Sequence, residues 1–512
     1  MSVLELRYCT ALLLAFCLSS CSLFHKPIAV VTGDPLATEA AIKILKQGGT
    51  AADAFITAVL VLTDVEPQAS GLGGGFFAIY YDAKTKRTYA LDAREEQPAS
   101  LSSDIFWDYS SAEPKDGWYT SAASIGVPGV ADGMAVLHKN FGKLDRDQII
   151  EPAIDIAENG FAVTEYFYKL LQKYPDLHPW TDYQVGDLFI NKDYAKTLNL
   201  LATNGFEAFY NGALAEAIVK LGEEDKIPSA MDLDDLNNYR AVFRQPQTYN
   251  YGQYQVVSIG SPSSGSSTLY RIFDLVFAGI GEYKSIDASY KIRKQSFGDE
   301  DFTESKCRVK DDAFENLSQL DGFTSFHEEK GTTHIAITDR YGNAISGTVT
   351  IQSAFGSGRL LPGYGFLLNN ELSDFDPQRG QCNSIQSGRR LRAGAIGLTS
   401  DGQEANKTYG AKRPRSSMTP LIVFDKNKPS LVLGASGGWT IINSVYQVFT
   451  NIVDGGMSLE AAIQKPRVFI KGDGKVYDES EIGFPTAVNG IDLAHAKAYA
   501  DRRKNGSSLV LK

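Results

Sequence analysis

Three hairpin patterns, spread over both halves of the chain, constrain its fold more than any other feature. "FFAIYYDAKTKRTYALDA" gives two strands around AKTKR, "THIAITDRYGNAISGTVTIQ" two around RYGN, and "PLIVFDKNKPSLVLGA" two around KNKP. Turns this short join antiparallel strands, because a parallel crossover needs a dozen or more residues. Helical patterns lie between them. "ATEAAIKILKQ" has its apolar residues at helical spacing and stops at Gly-Gly, residues 123–240 are mostly amphipathic helix, and "YNYGQYQVVSIGSPSSGSSTLYRIFDLVF" reads as strand, Ser/Gly loop and helix. Antiparallel sheets covered by helices define an α+β protein.

The 512 residues, 43% hydrophobic and 22% charged, suffice for a core larger than one ordinary domain holds. A net charge of −11 without a concentrated basic face argues against nucleic acid as a partner. The opening "MSVLELRYCTALLLAFCLSSCSLF" has an apolar run ending in Leu18-Ser19-Ser20-Cys21. It reads as a secretory signal, residues 1–21, with a lipoprotein-type box that exports the protein to the periplasm or cell surface and tethers it through Cys21. The run is too short to span a bilayer permanently; a short anchor or buried helix is the other reading. Besides Cys9, Cys17 and Cys21 only Cys307 and Cys382 remain, and in an oxidising compartment two such thiols either pair or stay free. Without CxxC or HExxH, and with six scattered histidines, neither a metal nor a cofactor is expected.

Three motifs bear on chemistry. "SGLGGG" (70–75) leads into a strand and lacks the lysine of a phosphate loop, so a tight turn or close backbone approach is the better reading. "GASGG" (434–438) matches a nucleophile elbow, but only His495 lies downstream to complete a triad. Its consecutive glycines at a helix start suit an oxyanion hole instead. "GTTH" (331–334) follows a polar, charged stretch that reads as an exposed linker from about 295 to 331. A threonine whose preceding peptide bond is cut carries its own α-amine as a base, yet spacing alone fits two strand-forming threonines equally well.

The order of motifs adds context. "DPLATEAAIKILKQGGTAADAFITAVLVLTDVEPQASGLGGGFFAIYYD", "LDAREEQPA", "GVPGVADGM", "EPAIDIAENGF" and "GSPSSGSSTL" precede the linker; "GTTHIAITDRYGNAISGTVT", "FGSGRLLPGYGFLLNNELSDFD", "KRPRSSMTP", "GASGGWTI" and "ADRRKNG" follow it. In this order they resemble the gamma-glutamyltransferase (gamma-glutamyltranspeptidase) family of N-terminal-nucleophile hydrolases along nearly the whole mature chain. The resemblance implies a four-layer αββα sandwich and self-cleavage at Gly331–Thr332 into a large subunit, 22–331, and a small one, 332–512, that stay together as one fold. It implies Thr332 as nucleophile on the γ-glutamyl amide of glutathione-like compounds, with water or an amino acid or peptide as acceptor. Thr350 would then bond the freed amine or the hydroxyl, and Gly437 and Gly438 would form the oxyanion hole. Arg94, Ser416 and Ser417 would hold the substrate α-carboxylate, Glu371 and Asp374 its ammonium, and His334 would be a strand residue.

Three departures stand beside the resemblance. Gln352 replaces the family's asparagine near the substrate amine, residues 266–331 are short with a poorly matched helical part, and the segment from Asp374 to Lys412 is long, with Ile396 near the place of a lid aromatic. They leave open a hydrolase of another γ-linked or acyl amide. A non-catalytic exported lipoprotein of the same fold is a further alternative, which an intact nucleophile and oxyanion hole argue against.

Overall fold

The structure, a computed structural model, describes residues 26–177, 180–302, 307 and 330–511. In chain order its principal strands are β1 (Ile28–Thr32), β2 (Gly75–Asp82), β3 (Arg87–Ala93), β4 (Val242–Arg244), β5 (Gln247–Tyr251), β6 (Tyr254–Ser258), β7 (Lys330–Thr338) and β8 (Ala344–Ser353). They continue with β9 (Ala395–Ile396), β10 (Leu421–Asp425), β11 (Lys428–Ser436), β12 (Ala487–Asp492), β13 (Lys497–Tyr499) and β14 (Ser507–Leu511). Two antiparallel sheets result, ordered β9-β4-β3-β2-β8-β7-β1-β14 and β13-β12-β11-β10-β6-β5. The three predicted hairpins are β2–β3, β7–β8 and β10–β11.

Helices α1 (Pro35–Lys46), α2 (Ala51–Val65), α3 (Val130–Phe141), α4 (Arg146–Asn159) and α5 (Lys192–Asn204) cover the outer face of the first sheet. Helices α6 (Gly265–Phe277), α7 (Glu282–Ser296), α8 (Thr440–Val453) and α9 (Leu459–Gln464) cover the second. The period-2 geometry of a strand sorts side chains between the layers. Phe76, Ala78 and Tyr80 of β2 enter the helix-facing core, whereas Phe77, Ile79 and Tyr81 enter the core shared by the two sheets. Such a strand is buried on both faces, as expected of the inner layers of a helix–sheet–sheet–helix stack. The four-layer expectation is met, and α6 and α7 pack normally although their sequence matched poorly.

Local chemistry sets the helix ends. Asp34 caps α1 by accepting from the Leu36 N–H, with Pro35 in the first turn, and Thr50 with Asp53 forms a capping box on α2. Between these helices Gly48 has a φ of +97°, which favours glycine. In the first sheet β1 lies between β7 and β14, so strands from before and after residue 331 interleave. Residues 303–306 and 308–329, most of the expected linker, and the leader with Cys21 lie outside the described residues. Cys307 and Cys382 are joined in a disulfide, which decides the pairing left open by the sequence.

Candidate active site

Thr332, His334 and Ala336 of β7 share one side of the strand, and Ala336 belongs to the inter-sheet core. Thr332 is therefore at the end of the gap between the sheets. Its register partner is Thr350 of β8, and Gly331 pairs with Gln352, so Ile351 is bulged out. The hydroxyls of Thr332 and Thr350 are 3.3 Å apart. Thr350 Oγ1 donates to the Gly331 carbonyl at 2.8 Å and accepts from the Gln352 N–H at 2.9 Å. One hydroxyl thus polarises the carbonyl of the 331–332 peptide while contacting the Thr332 hydroxyl. Glycine is required on both sides of this pair: a Cβ at Gly331 would lie 2.1 Å from the Ser353 carbonyl oxygen, and one at Gly74 only 2.0 Å from that of Thr350. The run "SGLGGG" is accordingly a close backbone approach.

Gln352 has a φ of +76°, a strained value for a side-chain-bearing residue, and its amide donates to Asp374 Oδ1 at 2.7 Å. Asp374 ends a 3₁₀ turn, Glu371–Asp374, whose start is fixed by Asn369. The Asn369 carboxamide accepts from the Glu371 and Gly126 N–H groups, each at 2.9 Å, and donates to the carbonyls of Gly73 and Gly126. Arg94, just past β3, is fully buried. Its guanidinium pairs with Glu371, reaches Asp374 at 2.6 Å, and donates to the carbonyls of Pro414 and Arg415, each at 3.2 Å. The expected carboxylate-binding arginine and the expected ammonium-binding acids are therefore in mutual contact. Burial works against Arg94's charge, but Glu371, Asp374 and Glu95 more than offset it. For Glu371 burial dominates; with Glu95 and Asp374 it outweighs Arg94 and holds the carboxyl well above the usual range.

These groups open on a cavity of about 920 Å³ whose lining includes Thr332, Thr350, Gln352, Arg94, Ser416, Ser417 and Gly438. Gly437 and Gly438, with φ of +123° and +55°, follow β11 and precede α8, where helix N–H groups and dipole favour negative charge. A Cβ at Gly437 would lie 2.6 Å from Thr440 Oγ1. Ser417 accepts from Arg293 at 2.7 Å, and Arg293 also donates to Ser264 at 2.6 Å. Sequence reasoning missed Arg293, on α7, and an aromatic wall of Trp107, Trp118 and Tyr119 from the first half of the chain. "IFWDY" and "GWYT" were the available signal, aromatic clusters in an otherwise polar stretch.

Ile396, assigned by resemblance near the place of a lid aromatic, corrects that assignment. It lies on edge strand β9, paired with Phe243 of β4, and does not line the cavity. The segment around it is held to the sheet edge by Arg392, which pairs with Glu96 at 2.8 Å, Asp301 at 2.8 Å and Asp299 at 3.0 Å. Arg244 on Asp301 and Arg413 on Glu96 share these acids, so Arg392 belongs to a buried ion network that fixes the segment in place. Ser436, the elbow-like serine, also loses its partner. It pairs with Ala487 at one end of the β11–β12 ladder, while His495 bonds Asp492 beyond the other end, roughly 17 Å of strand away.

His334 is buried between Thr348, at 2.8 Å, and Ser346, at 3.5 Å, with no acid on its ring among the described residues. Gly434 makes the room, since a Cβ there would lie 2.2 Å from the imidazole. Burial depresses its pKa to about 3. Between the usual 6.5 and 3 the unfolded chain binds a proton that the native chain does not, so stability falls as pH falls through that window. At pH 4.5 the term is roughly 2–3 kcal/mol. A His334→Gln variant is expected to lose that much less stability than wild type between pH 7 and 4.5, read from urea midpoints at both pH values. Equal losses would contradict the assignment.

The family model for gamma-glutamyltranspeptidase matches residues 37–490. The glutathione hydrolase proenzyme of Bacillus subtilis (strain 168) is 31% identical, the match covering 93% of this chain and 88% of the relative. That of Escherichia coli (strain K12) is 31% identical over 86% of this chain and 80% of its own. Among solved structures, cephalosporin acylase from Bacillus halodurans superposes with a TM-score of 0.77 at 22% identity, covering 95% of this chain and 96% of its own, a likeness of fold. By sequence order, matched length and identity, the chain belongs to the gamma-glutamyltranspeptidase family.

Proposed function

We propose that the chain is a self-processing γ-glutamyl hydrolase or transferase acting on glutathione and related compounds. The observation that carries this reading is the meeting of the Thr332–Thr350 hydroxyl pair with Arg94 and Asp374 in one cavity. A nucleophile lies beside fixed opposite charges of the kind that read an amino-acid zwitterion. In the uncut chain Thr332 Oγ1 attacks the Gly331 carbonyl carbon, whose oxygen Thr350 polarises. The C–N bond breaks, the nitrogen takes the hydroxyl proton, and water hydrolyses the resulting ester. The freed α-amine is then the base: it takes the Thr332 hydroxyl proton as Oγ1 attacks the γ-glutamyl amide, and passes it to the leaving amine. Gly437 and Gly438 stabilise the oxyanion, and Arg94, Ser416 and Ser417 hold the α-carboxylate while Asp374, Glu371 and Gln352 receive the ammonium. Water or an amino group on an acceptor releases the acyl group.

Cleavage would give a large subunit ending at Gly331 and a small one, 332–512, that remain associated, because β1 is hydrogen-bonded between β7 and β14. The leader supports export and lipid attachment at Cys21; among the described residues no helix is long and apolar enough to cross a membrane. A second reading, hydrolysis of another γ-linked or acyl amide, is favoured by the Trp107–Trp118–Tyr119 wall, which suits a bulkier apolar leaving group.

The test is a denaturing gel with intact mass. Cys307 and Cys382 lie on opposite sides of the proposed cut, so their disulfide ties the two products together. The expected result is a single species without reductant and two fragments with it, the smaller starting at Thr332. A chain that stays whole under reductant would overturn the self-processing reading. Anilide release with and without a dipeptide acceptor then separates hydrolysis from transfer.

A further inference from the structure

Lys504, in the loop before β14, does not line the cavity, yet its ammonium donates to the carbonyl oxygen of Thr332 at 3.1 Å. Glu66, just past the end of α2, is buried beside the Thr333 hydroxyl and close enough to interact electrostatically with Lys504; its Oε2 has no hydrogen-bond partner among the described residues. Gly33 leaves the space for this pair, since a Cβ there would lie 2.3 Å from Glu66 Oε2 and 2.5 Å from Thr333 Oγ1. Asp34, held by the Leu36 N–H at 2.8 Å and Asn505 at 2.9 Å, and the phenol of Tyr166 complete the surroundings of Glu66. On the Lys504 loop Asp501 is bound to Arg467 at 2.9 Å and to Arg503 at 3.1 Å. Across the cavity stand Arg94, Glu371, Asp374 and Glu95. The proposed reaction uses neither Lys504 nor Glu66.

We propose that Lys504 is a positioning residue for the terminal nucleophile: its cation on the Thr332 carbonyl fixes the freed α-amine and disfavours its protonated form. The inference rests on the reading of Thr332 as the residue exposed by cleavage. The amine and the carbonyl oxygen of one residue are three bonds apart, so a cation on the oxygen sits within a few ångströms of the nitrogen. A like charge at that range lowers an amine's proton affinity. An ordinary α-amine, with a pKa of about 7.7–8.0, is mostly protonated at neutral pH and cannot act as a base.

Glu66 grades the effect. Burial pushes its carboxyl up to about 7 although Lys504 pulls it down. Below that pH the carboxyl is neutral and the Lys504 charge acts in full. Above it the carboxylate compensates Lys504, in a range where the amine loses its proton unaided. Burial also lowers the Lys504 pKa, against the pull of Glu66 and Asp501.

Two measurements test this on the full-length, processed protein. First, wild-type protein is carbamylated with cyanate between pH 5.5 and 9, and the fragment starting at Thr332 is quantified by mass. An apparent amine pKa below about 7 is expected, and one in the ordinary range of about 7.7–8.0 overturns the proposal. Second, kcat/KM for a γ-glutamyl anilide is followed against pH for Lys504→Met and Lys504→Arg. The methionine variant is expected to move the acidic limb up by about one unit with KM within about twofold, and the arginine variant to restore it. An unmoved limb in processed Lys504→Met overturns the proposal whatever the loss of rate. If that variant does not process, the wild-type carbamylation decides alone. A wild-type spectrum with no fragment starting at Thr332 overturns the nucleophile reading itself, an outcome distinct from an unshifted amine.

Discussion

A Thr332→Ala variant is expected to remain one uncut chain under reductant and to lose turnover of a γ-glutamyl anilide by on the order of 10⁴-fold or more. The substitution removes one hydroxyl and one methyl from a buried strand position and leaves the β7–β8 ladder intact. Its effect on folding is therefore small beside its effect on chemistry. Without Oγ1 nothing attacks the Gly331 carbonyl, so the 331–332 bond persists and no terminal amine is released. Both functions fail together because one atom serves both. Thr332→Ser keeps the oxygen and is expected to process and turn over more slowly, since serine lacks the methyl that restricts χ1. Thr350→Val keeps the shape but removes the proton that Thr350 gives to the Gly331 carbonyl, and is expected to slow processing by about 10²-fold, as loss of one oxyanion donor does elsewhere. Measurable cleavage or turnover in Thr332→Ala would sink the assignment of the nucleophile.

The sequence made parts of this architecture legible for physical reasons. The hairpins announced themselves because short turns between alternating strands admit one geometry, and the run "FFAIYY" is apolar on both faces because both faces are buried. Thr332 and Thr350 lie 18 residues apart, and β-register across the RYGN turn brings them opposite one another. What stayed hidden depends on contacts distant in the chain. Lys504 reaches Thr332 across 172 residues because β14 pairs with β1 and β1 with β7, an order of strands no local pattern reveals. Arg293 reads as one more basic residue on a polar helix until α7 packs beside Ser417. Ile396 was misplaced for the converse reason. Counting along a segment longer than its relatives' assigns a position, whereas the buried Arg392 pairs decide where the chain goes.

The second large effect is expected at Arg94, where substitution separates binding from stability. Arg94→Lys should lower kcat/KM for a zwitterionic substrate by about 10²–10³-fold, because an ammonium cannot reproduce a planar fork of donors. Arg94→Ala should also cost about 1–3 kcal/mol of stability, because it removes the buried donor that Glu371 and Asp374 both accept from. Arg94, Glu371 and Glu95 are almost wholly buried, and Glu95 is pushed up to about 7 by burial in spite of Arg94. Burial, with Glu95 and Asp374, pushes the Glu371 carboxyl well above the usual range against the pull of Arg94, which favours its neutral form beside the guanidinium. Arg94 then balances Asp374, and an incoming α-carboxylate can replace Asp374 on the guanidinium while Asp374 turns to the substrate ammonium. Glu371→Gln, the neutral isostere, is accordingly expected to keep kcat/KM within about threefold, whereas Asp374→Asn should lose about 10²-fold. The sign with pH follows. As pH rises through the raised pKa, wild-type Glu371 gains a charge that disturbs this balance, and the glutamine variant does not, so its alkaline limb should be flatter. Equal losses in Glu371→Gln and Asp374→Asn would mean that both acids are ionised and that Arg94 must be freed from two carboxylates before substrate binds.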